Sequence, residues 1–273
     1  QTGGGPHFVF GVAGNTVIDG WYAECDCYAN NAGDVWQILP NAATAPFTYT
    51  VKNGVAAASN NGTAIGIVIN VSGSTNCNGS TTFCPQTAFT RNTLALANSD
   101  STGVGCEGNS GYAGEYSSVD SNIAFITTPG PALLTVWGFG QTPAAGMYTY
   151  ADSNHTWGIT GSLYKGIDTN PGAYSSIPGG HDTSGDPAFT EQRKIVDFGR
   201  RWDPSIAAIS DVGDKMRQVY LDMAQGTNLG DHRFTILNLY NWLRAGWRPR
   251  NKATWTAGLD GAHVGGVAPE QAF

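Results

Sequence analysis

Between residues 15 and 160 the chain alternates short runs of strand-forming residues with polar turns. The first run opens at Asn15-Thr16-Val17-Ile18, and Phe47-Thr48-Tyr49-Thr50-Val51 and Ala64-Ile65-Gly66-Ile67-Val68-Ile69 follow. Thr93-Leu94-Ala95-Leu96, Thr102-Gly103-Val104-Gly105-Cys106, Ile123-Ala124-Phe125-Ile126 and Leu133-Leu134-Thr135-Val136-Trp137 continue the pattern, and His155-Thr156-Trp157-Gly158-Ile159 is a worn last copy. β-Branched and aromatic residues suit a pleated, half-buried surface, while Asn, Gly and Ser suit bends. Each run is a predicted strand.

An Asn opens five of these stretches, at Asn15, Asn53, Asn92, Asn122 and Asn154, with gaps of 38, 39, 30 and 32 residues. Twelve residues after three of them stands the middle of a second apolar run, at Ile65, Val104 and Leu134. Two-residue hairpin turns do not give such spacings. A repeat of this length implies strands that stack on their own earlier copies. The five Asn are then a structural ladder at a corner, because an Asn side chain can hydrogen-bond neighbouring backbone and tolerates a left-handed bend.

After residue 190 the period changes. Asp203-Pro204 reads as a helix start, followed by Ile206, Ile209, Val212, Met216, Val219 and Met223 at three- and four-residue spacing, with Gly226 as a stop. A second helix is predicted from near Thr235 to Gly246, with Leu237, Tyr240 and Leu243 on its apolar face.

Three C-terminal segments carry a family resemblance: Asp186-Pro187-Ala188-Phe189, Asn241-Trp242-Leu243-Arg244-Ala245-Gly246-Trp247-Arg248-Pro249-Arg250-Asn251, and Ala257-Gly258-Leu259-Asp260-Gly261-Ala262-His263-Val264-Gly265-Gly266-Val267. Together they resemble the close of right-handed parallel β-helix repeat proteins of bacterial and bacteriophage type. That family includes polysaccharide lyases, glycoside hydrolases, phage tailspikes and uncharacterised surface proteins. No catalytic motif of any one member is present, so the resemblance transfers no catalytic residue. With the periodicity, it implies an all-β fold: a single-stranded right-handed parallel β-helix with a short C-terminal α-helical cap. The expected divisions are residues 1–190 for the β-helix, 191–250 for the helical capping segment, and 251–273 for a terminal turn and strand packing back on the coil.

Composition narrows the function. Only 13% of the 273 residues are charged, yet 41% are hydrophobic, with 8 Trp, 11 Tyr and 11 Phe, which argues for a packed core. No apolar run is long enough to span a bilayer. The net charge is −7, and the first 190 residues hold three basic side chains, Lys52, Arg91 and Lys165, against twelve acidic ones. An acidic surface repels phosphates, which excludes nucleic acid as an expected partner. Five Cys leave at least one outside any internal bridge. Cys77 and Cys84 flank a Gly/Ser/Thr loop and are the expected disulfide, whereas Cys25, Cys27 and Cys106 lack the spacing of a zinc knuckle. Bridged Cys point to an oxidising, extracellular setting, the phage-type resemblance adds the virion, and a chain opening at Gln1 without a Met is expected to be processed or a piece of something longer.

Candidate chemistry is sparse. Glycoside hydrolysis needs two carboxylates a few ångströms apart. Glu24 and Asp26 share a strand face by alternation, and Glu107 on a later repeat can approach them, so these three are the candidate catalytic set. Tyr112, Tyr116 and Trp137 are the candidate sugar-stacking rings. Lys52 and Arg91 each precede a ladder Asn and are expected to stack on one face, as solvated corner cations. His181, Asp182 and Asp186 fall in a Gly-rich loop and read as turn residues. No metal site and no cofactor are expected, a structural or catalytic calcium ion staying open as the alternative.

The leading expectation is an extracellular or virion-associated surface protein, of the tailspike, fibre or decoration kind, binding carbohydrate through aromatic- and Asn-rich loops. Its partners are then a polysaccharide or cell-surface glycan, with homotrimer or virion assembly. Two rivals stand beside it: a polysaccharide-cleaving hydrolase or lyase, and a purely structural assembly subunit.

Overall fold

The computed structural model describes residues 8–10, 14–25, 36–38, 47–58, 67–72, 86–96, 102–107, 116–126, 135–139, 148–158, 181–195, 197, 200, 204–205 and 236–269. Sixteen strands, numbered in chain order, form three sheets among them. The first sheet holds β1 (Phe8–Phe10), β4 (Trp36–Ile38), β7 (Ile67–Ser72), β10 (Thr102–Glu107) and β13 (Thr135–Phe139). The second holds β2 (Thr16–Asp19), β5 (Thr48–Lys52), β8 (Gln86–Thr90), β11 (Tyr116–Asp120) and β14 (Tyr148–Asp152). The third holds β3 (Tyr22–Cys25), β6 (Val55–Ala58), β9 (Thr93–Leu96), β12 (Ile123–Ile126), β15 (His155–Trp157) and β16 (Thr183–Ser184). Every pairing is parallel, and up to β15 each strand pairs with the strand three places on.

The expected class is corrected. The chain divides into two compact units, one of residues 1–188 with 249–273 and one of residues 189–248. The second unit carries an eleven-residue helix, α1 (Ile236–Gly246). Parallel sheets and α-helix together give the chain an α/β content. It is not the all-β molecule expected, a single right-handed parallel β-helix closed by a helical cap. The physical reason lies in the helix itself. Residues 189–248, which include this helix, cluster as a compact unit of their own.

In the first unit the core is built by alternation. Val51, Phe89 and Val119 stack in register at full burial, as do Leu94 and Ala124 from the third sheet. Phe47 and Tyr49 meet edge to face with ring centroids 5.4 Å apart. Each such large apolar side chain contributes about 1.5–3 kcal/mol on burial.

The corner between the second and third sheets fixes the register. Trp21, Gly54, Asn92, Asn122, Asn154 and Asp182 each stand just before a strand of the third sheet, and the pairing of the next residues stacks them in one column. Three Asn of this column are fully buried. Asn92 Oδ1 accepts from the Gly54 amide at 3.0 Å, Asn122 Oδ1 from the Asn92 amide at 2.8 Å, and Asn154 Oδ1 from the Asn122 amide at 3.0 Å. The Nδ2 groups of Asn92, Asn122 and Asn154 donate to the carbonyls of Val51, Phe89 and Val119, each at 3.0 Å. Asp182 ends the column by accepting from the Asn154 amide at 2.8 Å.

The ladder therefore differs from the five-Asn expectation at two members. Asn53 sits one residue early, in the left-handed column with Gly20, Arg91, Ser121 and Ser153, whose φ values run from 53° to 71°. Asn15 lies at the start of β2 in the second sheet, where its Oδ1 accepts from the Thr48 amide at 2.9 Å.

The outer face of the third sheet is covered by the chain's own segments. The Gly265 amide donates to Ser121 O at 2.8 Å, the Leu259 amide to Ser121 Oγ at 2.9 Å, and the Gly266 amide to Thr93 Oγ1 at 2.9 Å. A Cβ on Gly266 would overlap the Gly54 carbonyl, so only Gly permits this approach. Val264 is fully buried and Val267 nearly so. The second sheet has no such cover at its start, since Val17 is 61% exposed.

In the second unit α1 buries Leu239 and Leu243, with Trp247 just beyond it, while Leu237 is 64% exposed. The expected face of Leu237, Tyr240 and Leu243 is corrected to the four-residue spacing of Leu239, Leu243 and Trp247. Arg193 explains the choice. Its Nη1 donates to Trp242 O at 2.9 Å, its backbone carbonyl accepts from Trp247 Nε1 at 3.0 Å, and a Cβ on Gly246 would strike its side chain. The helix expected from Asp203 to Gly226 lies outside the described residues, apart from Pro204 and Ser205.

Replacement of Asn122 by Ala is expected to lower unfolding free energy by about 3 kcal/mol, because buried partners on two neighbouring strands lose their hydrogen bonds. Asn15→Ala, at an exposed residue, is expected to cost less than about 1 kcal/mol. Urea denaturation of both variants checks the pair, and equal losses would place the two Asn in the same role.

Candidate functional site

The polar corner that carries the ladder also gathers the titratable groups of the first unit. The residues ending each strand of the second sheet form one register column, Asp19, Lys52, Thr90, Asp120 and Asp152. The left-handed residues that follow them, Gly20, Asn53, Arg91, Ser121 and Ser153, form the next. Neighbouring strands lie about 4.8 Å apart, so side chains in a column reach one another.

Asp19 begins the acidic members. Lys52 Nζ lies 3.2 Å from its Oδ2, and Asn53 Nδ2 donates to its Oδ1 at 2.6 Å. The Asn53 hydrogen bond, with help from Lys52, holds the Asp19 carboxyl below its ordinary range. Asp120 accepts from Thr90 Oγ1 at 2.6 Å and from Ser121 Oγ at 3.0 Å. Asp152 accepts from the Ser153 amide at 2.8 Å and the His181 amide at 3.1 Å, and its Oδ2 lies 2.8 Å from His181 Nδ1. Asp120 and Asp152 are in register on adjacent strands and both nearly buried. The ring of His181 is 80% exposed. The Asp152 carboxylate raises the His181 pKa through that hydrogen bond and its charge.

His155 shows the opposite behaviour one residue past the ladder. It is fully buried, with Nε2 2.9 Å from Gly185 O and Nδ1 2.8 Å from Thr183 Oγ1. A carbonyl only accepts, so Nε2 carries the proton and Nδ1 accepts from the Thr183 hydroxyl. Burial lowers its pKa and keeps the ring neutral. This is a structural histidine.

The candidate catalytic and binding residues are dispersed along the backbone. Glu24 sits in β3 of the third sheet opposite Ala57, whereas Glu107 sits in β10 of the first sheet opposite Ser72. The two are thus in different sheets, and Asp26 lies outside the described residues. Tyr116 begins β11, in register with Tyr148, and Trp137 lies in β13 opposite Val104. Tyr112, Cys77 and Cys84 lie outside the described residues. Lys52 and Arg91 are one register position apart, since Lys52 aligns with Thr90. Sequence reading missed the pairing of Asp152 with His181, whose only signal was that Asp120-Ser121-Asn122 recurs as Asp152-Ser153-Asn154 and that Asp182 follows His181 in the Asn position.

Among the described residues no group of three or more His, Cys, Asp or Glu is gathered as metal ligands. No helix among them is long and apolar enough to cross a membrane. No protein-family model, curated protein or solved structure matches the chain.

The two histidines should tilt stability in opposite directions. His155 is depressed below its ordinary 6.5, so its contribution is whole above pH 6.5 and fades as pH falls. His181 is raised above 6.5, so its contribution is whole below pH 6.5 and fades as pH rises through its folded value. His155→Gln is expected to flatten the acid limb of a stability–pH curve, whereas His181→Ala lowers stability on the acid side and leaves the alkaline side unchanged. Denaturation midpoints measured across that range check both signs.

Proposed function

We propose that this is an extracellular or virion-associated surface protein that binds carbohydrate, of the tailspike, fibre or decoration kind. The observation that carries the reading is the second sheet. Tyr116 and Tyr148 stand in register on its neighbouring strands, two residues from the Ser118–Tyr150 pair. Aromatic rings and hydroxyls repeated at strand spacing suit sugar, which binds by stacking and by many modest hydrogen bonds. The low charge and the net −7 agree with an uncharged, hydroxyl-rich ligand. Binding to a polysaccharide panel by affinity electrophoresis tests it. At least one glycan should retard the protein, and Tyr116→Ala or Tyr148→Ala should weaken binding roughly tenfold, about 1.4 kcal/mol. A panel that leaves mobility unchanged throughout would overturn the reading.

Cleavage of the same polymer is the second reading, favoured by Asp120 and Asp152 on adjacent strands with His181 beside them. Retaining glycosidases hold their carboxyl groups about 5–5.5 Å apart, close to one strand spacing. Reducing-sugar release that disappears in both Asp120→Asn and Asp152→Asn would support it. No release from any glycan that binds would end it.

A further inference from the structure

Arg91 is held in an unusual situation. It occupies the left-handed column with φ 53°, where the equivalent residues of the two preceding repeats are Gly20 and Asn53, types that take this conformation more readily. Its Nε is buried and has no hydrogen-bond partner among the described residues. None of the carboxylates among them forms an ion pair with it. Its neighbours are already engaged. Lys52 and Asn53 hold Asp19, whose carboxylate the Arg91 charge also favours without a direct ion pair, and Thr90 and Ser121 hold Asp120. An unpaired buried donor on a permanently charged group costs about 1–3 kcal/mol or more, and such a group asks for a partner.

His263 is half-buried and neutral, because burial and then the Arg91 charge depress its pKa. It adds a donor or acceptor without another fixed charge. Lys52 remains 27% exposed beside its partner Asp19. Two of the three basic side chains in the first 190 residues thus meet at one corner of an otherwise acidic segment.

We propose that Arg91, flanked by Lys52 and His263, is an oxyanion subsite that takes a single carboxylate or sulfate group carried by a bound sugar. A guanidinium presents a planar fork that matches the two oxygens of such a group. The assignment names an acidic residue within the glycan and so rests on the carbohydrate reading. It also reconciles that reading with the charge of the chain. A polyanion would be repelled by the acidic surface, whereas one acidic sugar among neutral ones meets one prepared cation.

The test is titration of the full chain with glucuronate, with a galactose sulfate and with glucose, following the Arg Nε–H signals by NMR. The Arg91 signal, assigned through its loss in Arg91→Gln, should shift with glucuronate, with the sulfated sugar or with both. Which of the two moves it identifies the group. Glucose should leave it in place. Arg91→Gln should lose acidic-sugar binding at least 30-fold, and Arg91→Lys, which keeps charge and loses the fork, about tenfold. Binding should also weaken as salt rises. Should Arg91→Gln fold poorly, Lys52→Met with the wild-type NMR shift supplies the same comparison. No shift with either acidic sugar overturns the subsite, as does a shift with inorganic sulfate alone. A glycan that retards the protein while glucuronate and the sulfated sugar both leave the Arg91 signal unmoved would sink the subsite and leave the carbohydrate reading standing. A silent polysaccharide panel with a glucuronate shift at Arg91 would do the reverse.

Discussion

A buried amide that must satisfy every one of its polar atoms governs the first unit. Asn122 is the clearest case: its Oδ1 takes the Asn92 amide from one side, while its Nδ2 reaches Phe89 O on that same side and Asn154 Oδ1 on the other. A slip of one residue would carry each side chain to the opposite face of its strand and orphan these groups inside the protein. Apolar stacks such as Val51, Phe89 and Val119 tolerate small displacements in a way that directed hydrogen bonds do not. The ladder therefore sets the register, and the apolar residues fill the space that the register defines. Its ends follow the same rule. Gly54 contributes only a backbone donor, and Asp182 contributes an acceptor where no further amide follows.

That constraint explains how the chain distributes burial. The third sheet, which follows the ladder, is covered on both faces: Leu94 and Ala124 point one way, and Thr93 and Ile123 meet the segment around Gly265 on the other. Parallel strands buried on both faces need apolar or satisfied residues at nearly every position. The sequence there obliges, with Val55, Ala56, Ala57, Thr93, Leu94, Ala95, Ile123, Ala124 and Phe125 all buried. The second sheet reads differently. At β5 the pattern alternates open and buried positions, Thr48, Thr50 and Lys52 against Tyr49 and Val51.

Much of the strand content was legible, and the reasons are local. Thr93-Leu94-Ala95-Leu96 and Ile123-Ala124-Phe125-Ile126 are strands where their composition puts them, and Asn92, Asn122 and Asn154 announce a repeated corner. The errors come where position and residue type part company. Asn53 is a decoy, because in that repeat the ladder place passes to Gly54, which presents only its amide to Asn92. α1 is present from Ile236 to Gly246, but both Leu237-Tyr240-Leu243 and Leu239-Leu243-Trp247 fit a helical period. The docking of Arg193, more than forty residues earlier, selects the second. The all-β expectation failed similarly, since periodicity announces a helix but not the separate compact unit to which it belongs. Asp152 with His181, and Arg91 with His263, join residues distant in sequence, and no window of local pattern contains both members.

Chemistry concentrates at the ladder corner for a reason that follows from the geometry. A left-handed residue ends pairing in one sheet before the next strand begins, so backbone groups and side chains there are not claimed by a sheet ladder. The turn has two ways to satisfy what it leaves over. It can use a short acidic side chain, as Asp120 and Asp152 do with Ser121 and Ser153. Alternatively it can carry a long cation whose buried Nε has no hydrogen-bond partner among the described residues, as at Arg91. The first choice makes a rigid, self-satisfied corner. The second leaves a guanidinium whose charge acts on Asp19 and His263 without a direct ion pair. Corners of both kinds follow one another at one strand spacing along the stack, Asp120 aligning with Thr90 and Arg91 standing one residue on.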